Sequence, residues 1–481
     1  MKVRFFLAIG FLFIWAPAFT QTSFEKQLQN FLEQPAYRNA SVGIQVVESA
    51  TGKTFFEHNP EQLFIPASVL KVVTSAAALE ILGADYHFKT KLGYSGKIEN
   101  GVLKGNLVIV GGGDPSLGSE YFRNYYPASG FLETWAAQVR AAGIQKVEGH
   151  LVLDCSLYDT EPVPPTWIWE DMGNYYGAGA SALTFYDNLF RISFRSQPKA
   201  GLPTEIVAMR PQIKGLTMRN EVLSSDSNRD LAYVFGSPFD GDRVVRGTIP
   251  KNRKSFTIRA SNPFPEKLLA DDFLAHLARK GIFVSGDSEI NKVEPADFKL
   301  IYVTESPSLA EIVKVLNHES VNLFAEHLVK QVAAEKNGTG TRESGLNLIV
   351  DFWKSKGLDV SQLIMEDGSG LSHFNAVSPA FLVSVLNYMD QSGRYSDDFW
   401  KSLPSAGNGT LHYFDPRLFP QNSLRAKSGS MTRVRCYIGY ISPEPGKRYS
   451  FSVMVNHFSG SHLNAIAEIE KLLYEVYRNG K

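Results

Sequence analysis

Residues 72–82, which follow Ser68-Val69-Leu70-Lys71, form a run that carries apolar side chains on every side and is closed by Gly83. A helix that is hydrophobic all round belongs in a protein interior, so other elements must enclose it. Pro66 stands just ahead of this segment, which puts Ser68 in its first turn and Lys71 one turn later on the same face. That pairing offers a nucleophile and a base. A lysine in such a place is neutral, paired or catalytic, because an isolated buried ammonium is too costly. A plainer reading makes Ser68 a helix N-cap and Lys71 a snorkelling side chain.

The spacing alone is not selective. Ser23-Phe24-Glu25-Lys26 and Ser196-Gln197-Pro198-Lys199 repeat it. The first lies on a surface helix by its pattern, and Pro198 forbids an ordinary helix interior in the second. Only the Ser68 copy opens a buried helix.

The length allows two or three domains. Lysine plus arginine (49) balances aspartate plus glutamate (49), and no long basic block occurs, which argues against nucleic acid as a partner. The two cysteines, Cys155 and Cys436, make no disulfide framework, and whether they pair is open. Neither has metal-ligand spacing, so no metal or other cofactor is expected. Lys2 and Arg4 precede an apolar stretch over 5–15, then Ala16-Pro17-Ala18-Phe19-Thr20. This reads as a signal peptide over 1–20, cut after Ala18 or Thr20. The stretch is short for a membrane span, so an exported, unanchored mature chain is expected.

Residues 24–32 read as an amphipathic helix, and 41–47 with 53–57 as a hairpin across Ala50-Thr51-Gly52. From 89 to 155 strands alternate with glycine turns, among them 103–110 and 149–153, and a helix over 132–142 interrupts them. Short strands fill 190–258, and 263–281 reads as a helix. Ser308 with Glu311 makes a capping box before a helix that His318-Glu319 breaks and that resumes over 321–334. Strands over 423–428, 437–441 and 449–455 follow, then a helix with Ile466, Ile469, Leu473 and Val476 on one stripe. This order predicts an α/β (α+β) domain split by a β-rich insert.

Two further motifs fall at informative places. Ser320-Val321-Asn322 sits at the helix break, where the hydroxyl can relay a proton and the amide can hold a carbonyl and Lys71. Its plain alternative is an N-cap. Lys427-Ser428-Gly429-Ser430 lies on a strand whose edge can pair with an extended peptide, with Lys427 and Ser428 at its anionic end. Gly429 lets a substrate approach the backbone there.

In this order and these settings the three motifs resemble the Ser-x-x-Lys, Ser-x-Asn and Lys-Ser/Thr-Gly set of penicillin-binding proteins and serine β-lactamases. The long gap between Lys71 and Ser320 resembles the low-molecular-mass class C penicillin-binding proteins, the D-alanyl-D-alanine carboxypeptidase/endopeptidase family. Gly111-Gly112-Gly113-Asp114-Pro115, Tyr176-Gly177-Ala178, Ser181-Ala182-Leu183 and Asp367-Gly368-Ser369-Gly370-Leu371-Ser372 look like that family too. Tyr186-Asp187-Asn188 matches a motif of another β-lactamase class but reads as structural.

The resemblance implies a serine β-lactamase/transpeptidase-like domain over 21–90 and 300–481, an inserted domain II over 91–190 and 262–299, and a nested β-rich domain III over 191–261. It implies a periplasmic D-Ala-D-Ala carboxypeptidase acting on peptidoglycan stem peptides, with endopeptidase activity on cross-links and β-lactams as covalent inhibitors. Ser68, Lys71 and Ser320 would be catalytic, with Lys71 lowered by burial and by Lys427. Asn322, Lys427, Ser428, Gly429 and Ser430 would bind substrate, and the N–H groups of Ser68 and Ser430 would form the oxyanion hole. Asp171 and Tyr176 would receive the amino end of a stem-peptide side chain, unless the Trp167-Ile168-Trp169 segment simply packs against the catalytic domain. His373 stands where the family often has an arginine, and an imidazole cannot form a guanidinium fork. The alternatives are a β-lactamase, which would turn penicillin over rapidly, and a peptidoglycan-binding scaffold with a residual site.

Overall fold

The computed structural model describes residues 23–127, 130–290, 293 and 295–480. The expected signal peptide lies outside the described residues.

The half built from both ends of the chain is a five-stranded antiparallel sheet between two helical layers, with a two-stranded pair, Leu363–Ile364 and Ala376–Val377, beside it. The five strands run in the order Thr54–His58, Ser41–Glu48, Lys447–Asn456, Val434–Glu444, Leu424–Met431. Strand periodicity feeds two cores. Cys436, Ile438 and Tyr440 enter one, and Tyr437 and Ile441 the other. Val42, Ile44 and Val46 lie opposite Val455, Val453 and Phe451 and join the second core, covered by the terminal helices Ser23–Glu33 and His462–Asn479.

The first core surrounds the helix Leu70–Leu82. Every residue from Leu70 to Leu79 is buried, as the all-round apolar pattern requires. Area bookkeeping puts a fully buried Val or Leu at roughly 1.5–3 kcal/mol each. The helix stops at Gly83, which takes φ +98° while its N–H reaches the Leu79 carbonyl.

The middle of the chain builds a third core from four further sheets. One sheet orders Ser288–Ile290, Leu151–Asp154, Leu107–Val110, Lys89–Tyr94 and Lys299–Glu305. The last strand therefore pairs within the insert, although the expected boundary at 300 assigns most of it to the other half. Two three-stranded sheets hold 189–261; one of them orders Thr217–Ser225, Asp242–Pro250, Leu231–Phe235.

Two sequence expectations fail locally. Residues 103–110 are not one strand but parts of two, Val102–Lys104 and Leu107–Val110, in different sheets. They part at Gly105, whose Cα is so close to the Ser95 carbonyl that a Cβ would lie 2.0 Å from its oxygen. The helix Leu309–Glu319 runs through His318 and Glu319 and breaks at Ser320, which is left-handed at φ +59°. Cys155 and Cys436 sit in separate cores and are not bonded to one another.

Candidate active site

The nucleophile turn is built before the helix begins. Pro66 leads into a single 3-10 turn over Ala67–Val69, and Leu70 starts the α-helix. Ala67 is held at φ +48°, a strained conformation for a residue with a Cβ. Gly370 presses on it from the Asp367–Gly370 loop: a Cβ there would lie 1.9 Å from the Ala67 carbonyl oxygen. Ser68 is half-buried, and Lys71 is fully buried.

Lys71 Nζ has three neighbours. It lies 3.0 Å from Ser68 Oγ and donates to Asn322 Oδ1 at 2.5 Å and to the Ser369 carbonyl at 2.6 Å. Burial lowers its pKa to about 7, against the pull of Asp367 and Glu326, which raise it. The expected contribution from Lys427 is not what lowers Lys71. Lys427 is the one that feels the pair: burial first, then Lys71 and Arg435, hold its pKa well below the usual lysine value.

Ser320 is not an N-cap. It ends the preceding helix, Val321 is extended, and the next helix, Asn322–Asn337, begins without a side-chain cap. The kink frees the Ser320 hydroxyl to accept from Lys427 Nζ at 2.9 Å. Asn322 Nδ2 meanwhile donates to the Tyr176 carbonyl at 2.8 Å. The capping box at Ser308 and Glu311 forms as the spacing predicts.

Lys427, Ser428, Gly429 and Ser430 lie on Leu424–Met431, the edge strand of the sheet. Lys427 also donates to the Ser428 carbonyl at 2.7 Å. Ser428 is buried and Ser430 exposed. Gly429 faces the nucleophile turn, so its lack of a side chain serves the protein's own packing rather than a substrate's approach. A Cβ there would lie 2.6 Å from the Pro66 carbonyl oxygen and 3.1 Å from the Ser68 nitrogen.

The insert reaches the same place. Asp171 is buried in the short helix Trp169–Met172 and is hydrogen-bonded to the Tyr176 side chain. Burial pushes its pKa up to about 6, while Tyr176 and then His373 pull it down. The two tryptophans part company. Trp167 Nε1 donates to Asp367 Oδ2 at 2.8 Å and is 4% exposed, whereas Trp169 is 57% exposed. Tyr186-Asp187-Asn188 is a turn whose Asp187 accepts from the Glu120 N–H and whose Asn188 accepts from the Phe185 N–H. Of the other two Ser-x-x-Lys copies, Ser23 and Lys26 are exposed, and Ser196 hydrogen-bonds the backbone at Pro250 and Arg253.

Two buried acids beside the site lie outside the three motifs. Asp367 accepts from the N–H groups of Gly370 (2.7 Å) and Ser372 (2.6 Å), from Asn375 Nδ2 (2.9 Å) and from Trp167. Four donors make it a well-satisfied carboxylate. Glu326 lies one turn beyond Asn322 and accepts from the N–H groups of Gly368 (3.2 Å) and Ser369 (2.9 Å). Burial, then Asp367, hold it well above the usual carboxylate range. The sequence signal for Glu326 is its place four residues after Asn322, on the helix face that Asn322 also occupies. Among the described residues no group of His, Cys, Asp and Glu is arranged to hold a metal ion.

Known proteins share this architecture. A solved penicillin-binding protein 4 (dacB) from Haemophilus influenzae superposes with a TM-score of 0.80 at 23% identity, covering 95% of this chain and 99% of that one. Its complex with a β-lactam superposes at 0.76. A D-alanyl-D-alanine carboxypeptidase from Actinomadura sp. (strain R39) is 30% identical over 461 residues, 91% of this chain and 82% of that protein. The D-alanyl-D-alanine carboxypeptidase DacB of Haemophilus influenzae is 25% identical over 480 residues, 97% of each chain. The profile of the D-Ala-D-Ala carboxypeptidase 3 (S13) family matches residues 24–476. Spanning nearly all of the described fold and every part of the Ser68 cluster, that match shows that the chain belongs to the D-Ala-D-Ala carboxypeptidase 3 (S13) family and is a serine-type carboxypeptidase.

Proposed function

We propose that the chain is exported and removes the terminal D-alanine of peptidoglycan stem peptides through an acyl-enzyme on Ser68. The observation that carries this reading is the shell of Lys71. Its two fixed acceptors, Asn322 Oδ1 and the Ser369 carbonyl, use two N–H bonds and leave the third position to Ser68. A neutral amine fits that shell, with its lone pair toward the Ser68 hydroxyl.

In the proposed cycle Ser68 Oγ gives its proton to Lys71 and bonds to the carbonyl carbon of the penultimate D-alanine. The N–H groups of Ser68 and Ser430 hold the oxyanion; one such donor is worth about 10²–10³ in turnover. The proton passes through Ser320, braced by Lys427, to the leaving amine. The C–N bond breaks and D-alanine departs. Lys427 and Ser428 hold the substrate's terminal carboxylate, and Asn322 holds the peptide. Water then attacks the ester, and its proton returns Ser68 to the free hydroxyl.

A cross-linked stem presents the same amide with a larger leaving amine, so the same steps give endopeptidase activity. Asp171 with Tyr176 would receive the amino group of the stem-peptide side chain. A β-lactam would acylate Ser68 and keep its leaving group tethered. Export rests on the charged and apolar start of the chain; among the described residues no helix is long and apolar enough to cross a membrane. The test is D-alanine release from a pentapeptide ending in D-Ala-D-Ala. Wild type should release it and Ser68→Ala should not; equal release by both would overturn the assignment.

A further inference from the structure

The loop that carries Asp171 and Tyr176 is bolted to a strand of the nested β-rich module. The Val234 N–H donates to Asn174 Oδ1 at 3.0 Å, and Gly173 lies so close to the Val234 carbonyl that a Cβ would meet its oxygen at 2.1 Å. The strand Leu231–Phe235 is an edge strand, and its alternation sends Val234 into the core and Tyr233 and Phe235 outward. Tyr233 is near enough to Tyr176 to raise that hydroxyl's pKa. Phe235 packs against the indole of Trp169, ring centroids 4.7 Å apart and planes tilted by 44°. Tyr233 and Phe235 thus share one face of the strand, with Trp169 packed on Phe235 and the loop of Tyr176 bonded to the strand at Val234.

This strip is not core. Trp169 is 57% exposed, Ile168 beside it 41% and Tyr233 37%. Large aromatic rings left in water mark a binding surface rather than a packing need. No cation of the strip is free for an anion: the outward Arg246, which pairs with Tyr233 across the sheet, is held by Glu221 at 2.6 Å. Flat rings without charge suit the C–H faces of pyranose sugars, whose hydroxyls stay in water at the rim. The stem peptide of the proposed substrate hangs from such a sugar chain.

We propose that Tyr233, Phe235 and Trp169 form a saccharide platform that takes the amino-sugar rings of the glycan carrying the stem peptide. The nested module then contributes to substrate choice by holding the polymer while the catalytic half cuts the peptide. This inference rests on the function proposed above.

The experiment compares one pentapeptide with and without its disaccharide, measuring D-alanine release by the full chain. Wild type should show a KM at least about fivefold lower for the disaccharide form, with kcat alike. Trp169→Ala and Phe235→Ala should erase that preference and leave the free pentapeptide unchanged, while Trp169→Phe should keep most of it. A wild type with no preference, or a Trp169→Ala enzyme slowed equally on both substrates, would overturn the platform. Titration with a peptide-free tetramer of N-acetylglucosamine separates this from the catalytic reading. Saturable quenching of tryptophan fluorescence, lost in Trp169→Ala, would support the platform even if neither pentapeptide were cut; no quenching in wild type would refute it.

Discussion

Lys71 Nζ and Asn322 Oδ1 lie 2.5 Å apart, and the other end of the same amide donates to the Tyr176 carbonyl at 2.8 Å. The amide therefore has one workable orientation, with oxygen toward the lysine. A loop of the insert thus sets which atom Lys71 meets.

Replacing Asn322 by aspartate tests that relationship. A carboxylate beside Lys71 favours the ammonium, and an opposite charge at this range typically raises a pKa by about 1–3 units. The acid limb of kcat/KM for D-alanine release should move upward by that amount. Activity near neutrality should fall, and an unmoved limb would argue that Lys71 is not the titrating base.

The wild-type pH profile follows from the same lysine. Its pKa is lowered to about 7, so it is protonated below that pH and cannot accept the Ser68 proton. Lys71 becomes neutral as pH rises through about 7. The prediction is a kcat/KM that rises about tenfold per pH unit below 7 and levels above it. A profile that levels already at pH 5 would contradict a lysine base.

Glu326 acts in the opposite sense to the burial of Lys71, because its carboxylate raises the lysine's pKa. Glu326→Gln removes that pull, so the acid limb should move to lower pH. Glutamine has one acceptor oxygen for the two N–H groups of Gly368 and Ser369, and one unpaired buried amide costs about 1–3 kcal/mol of stability. Both effects are read from one pH series and one thermal melt. A limb that stays put while stability falls would make Glu326 purely a loop support.

Gly429→Ala probes the contact between the edge strand and the nucleophile turn. The new methyl would meet the Pro66 carbonyl oxygen at 2.6 Å, and backbone cannot yield as a flexible side chain does. Strand and turn must separate, and a displacement near 1 Å typically costs about 10²-fold in rate. Acylation by penicillin should slow by that order, with the far-ultraviolet circular dichroism spectrum unchanged. Unchanged acylation would show that the turn moves freely with the strand.

What could be read along the chain was whatever repeats locally. The apolar helix after Ser68, the capping box at Ser308 and the alternating strands at 437–441 and 449–455 each carry their own periodicity. The helix break at Ser320 falls where Ser320-Val321-Asn322 places it, whereas His318 and Glu319, which look like a polar interruption, are still helical. Glu326 stayed hidden because an acid on a helix reads as solvent-facing. The Gly368 and Ser369 N–H groups, brought from 42 and 43 residues away, and the Ser369 side chain satisfy it once it is buried. Gly429 was assigned to substrate because nothing in its strand reveals the Pro66 carbonyl behind it. The roles that failed or were missed all depend on contacts between distant segments.

The central claim is that Ser68 is the residue acylated. Intact-protein mass spectrometry after incubation with benzylpenicillin, then tryptic mapping, tests it directly. Cleavage after Lys53 and Lys71 releases residues 54–71, a peptide in which Ser68 is the only serine. The account predicts one penicillin per chain, carried on that peptide and absent in Ser68→Ala. An adduct on any other peptide, or one that persists in folded Ser68→Ala, would contradict it.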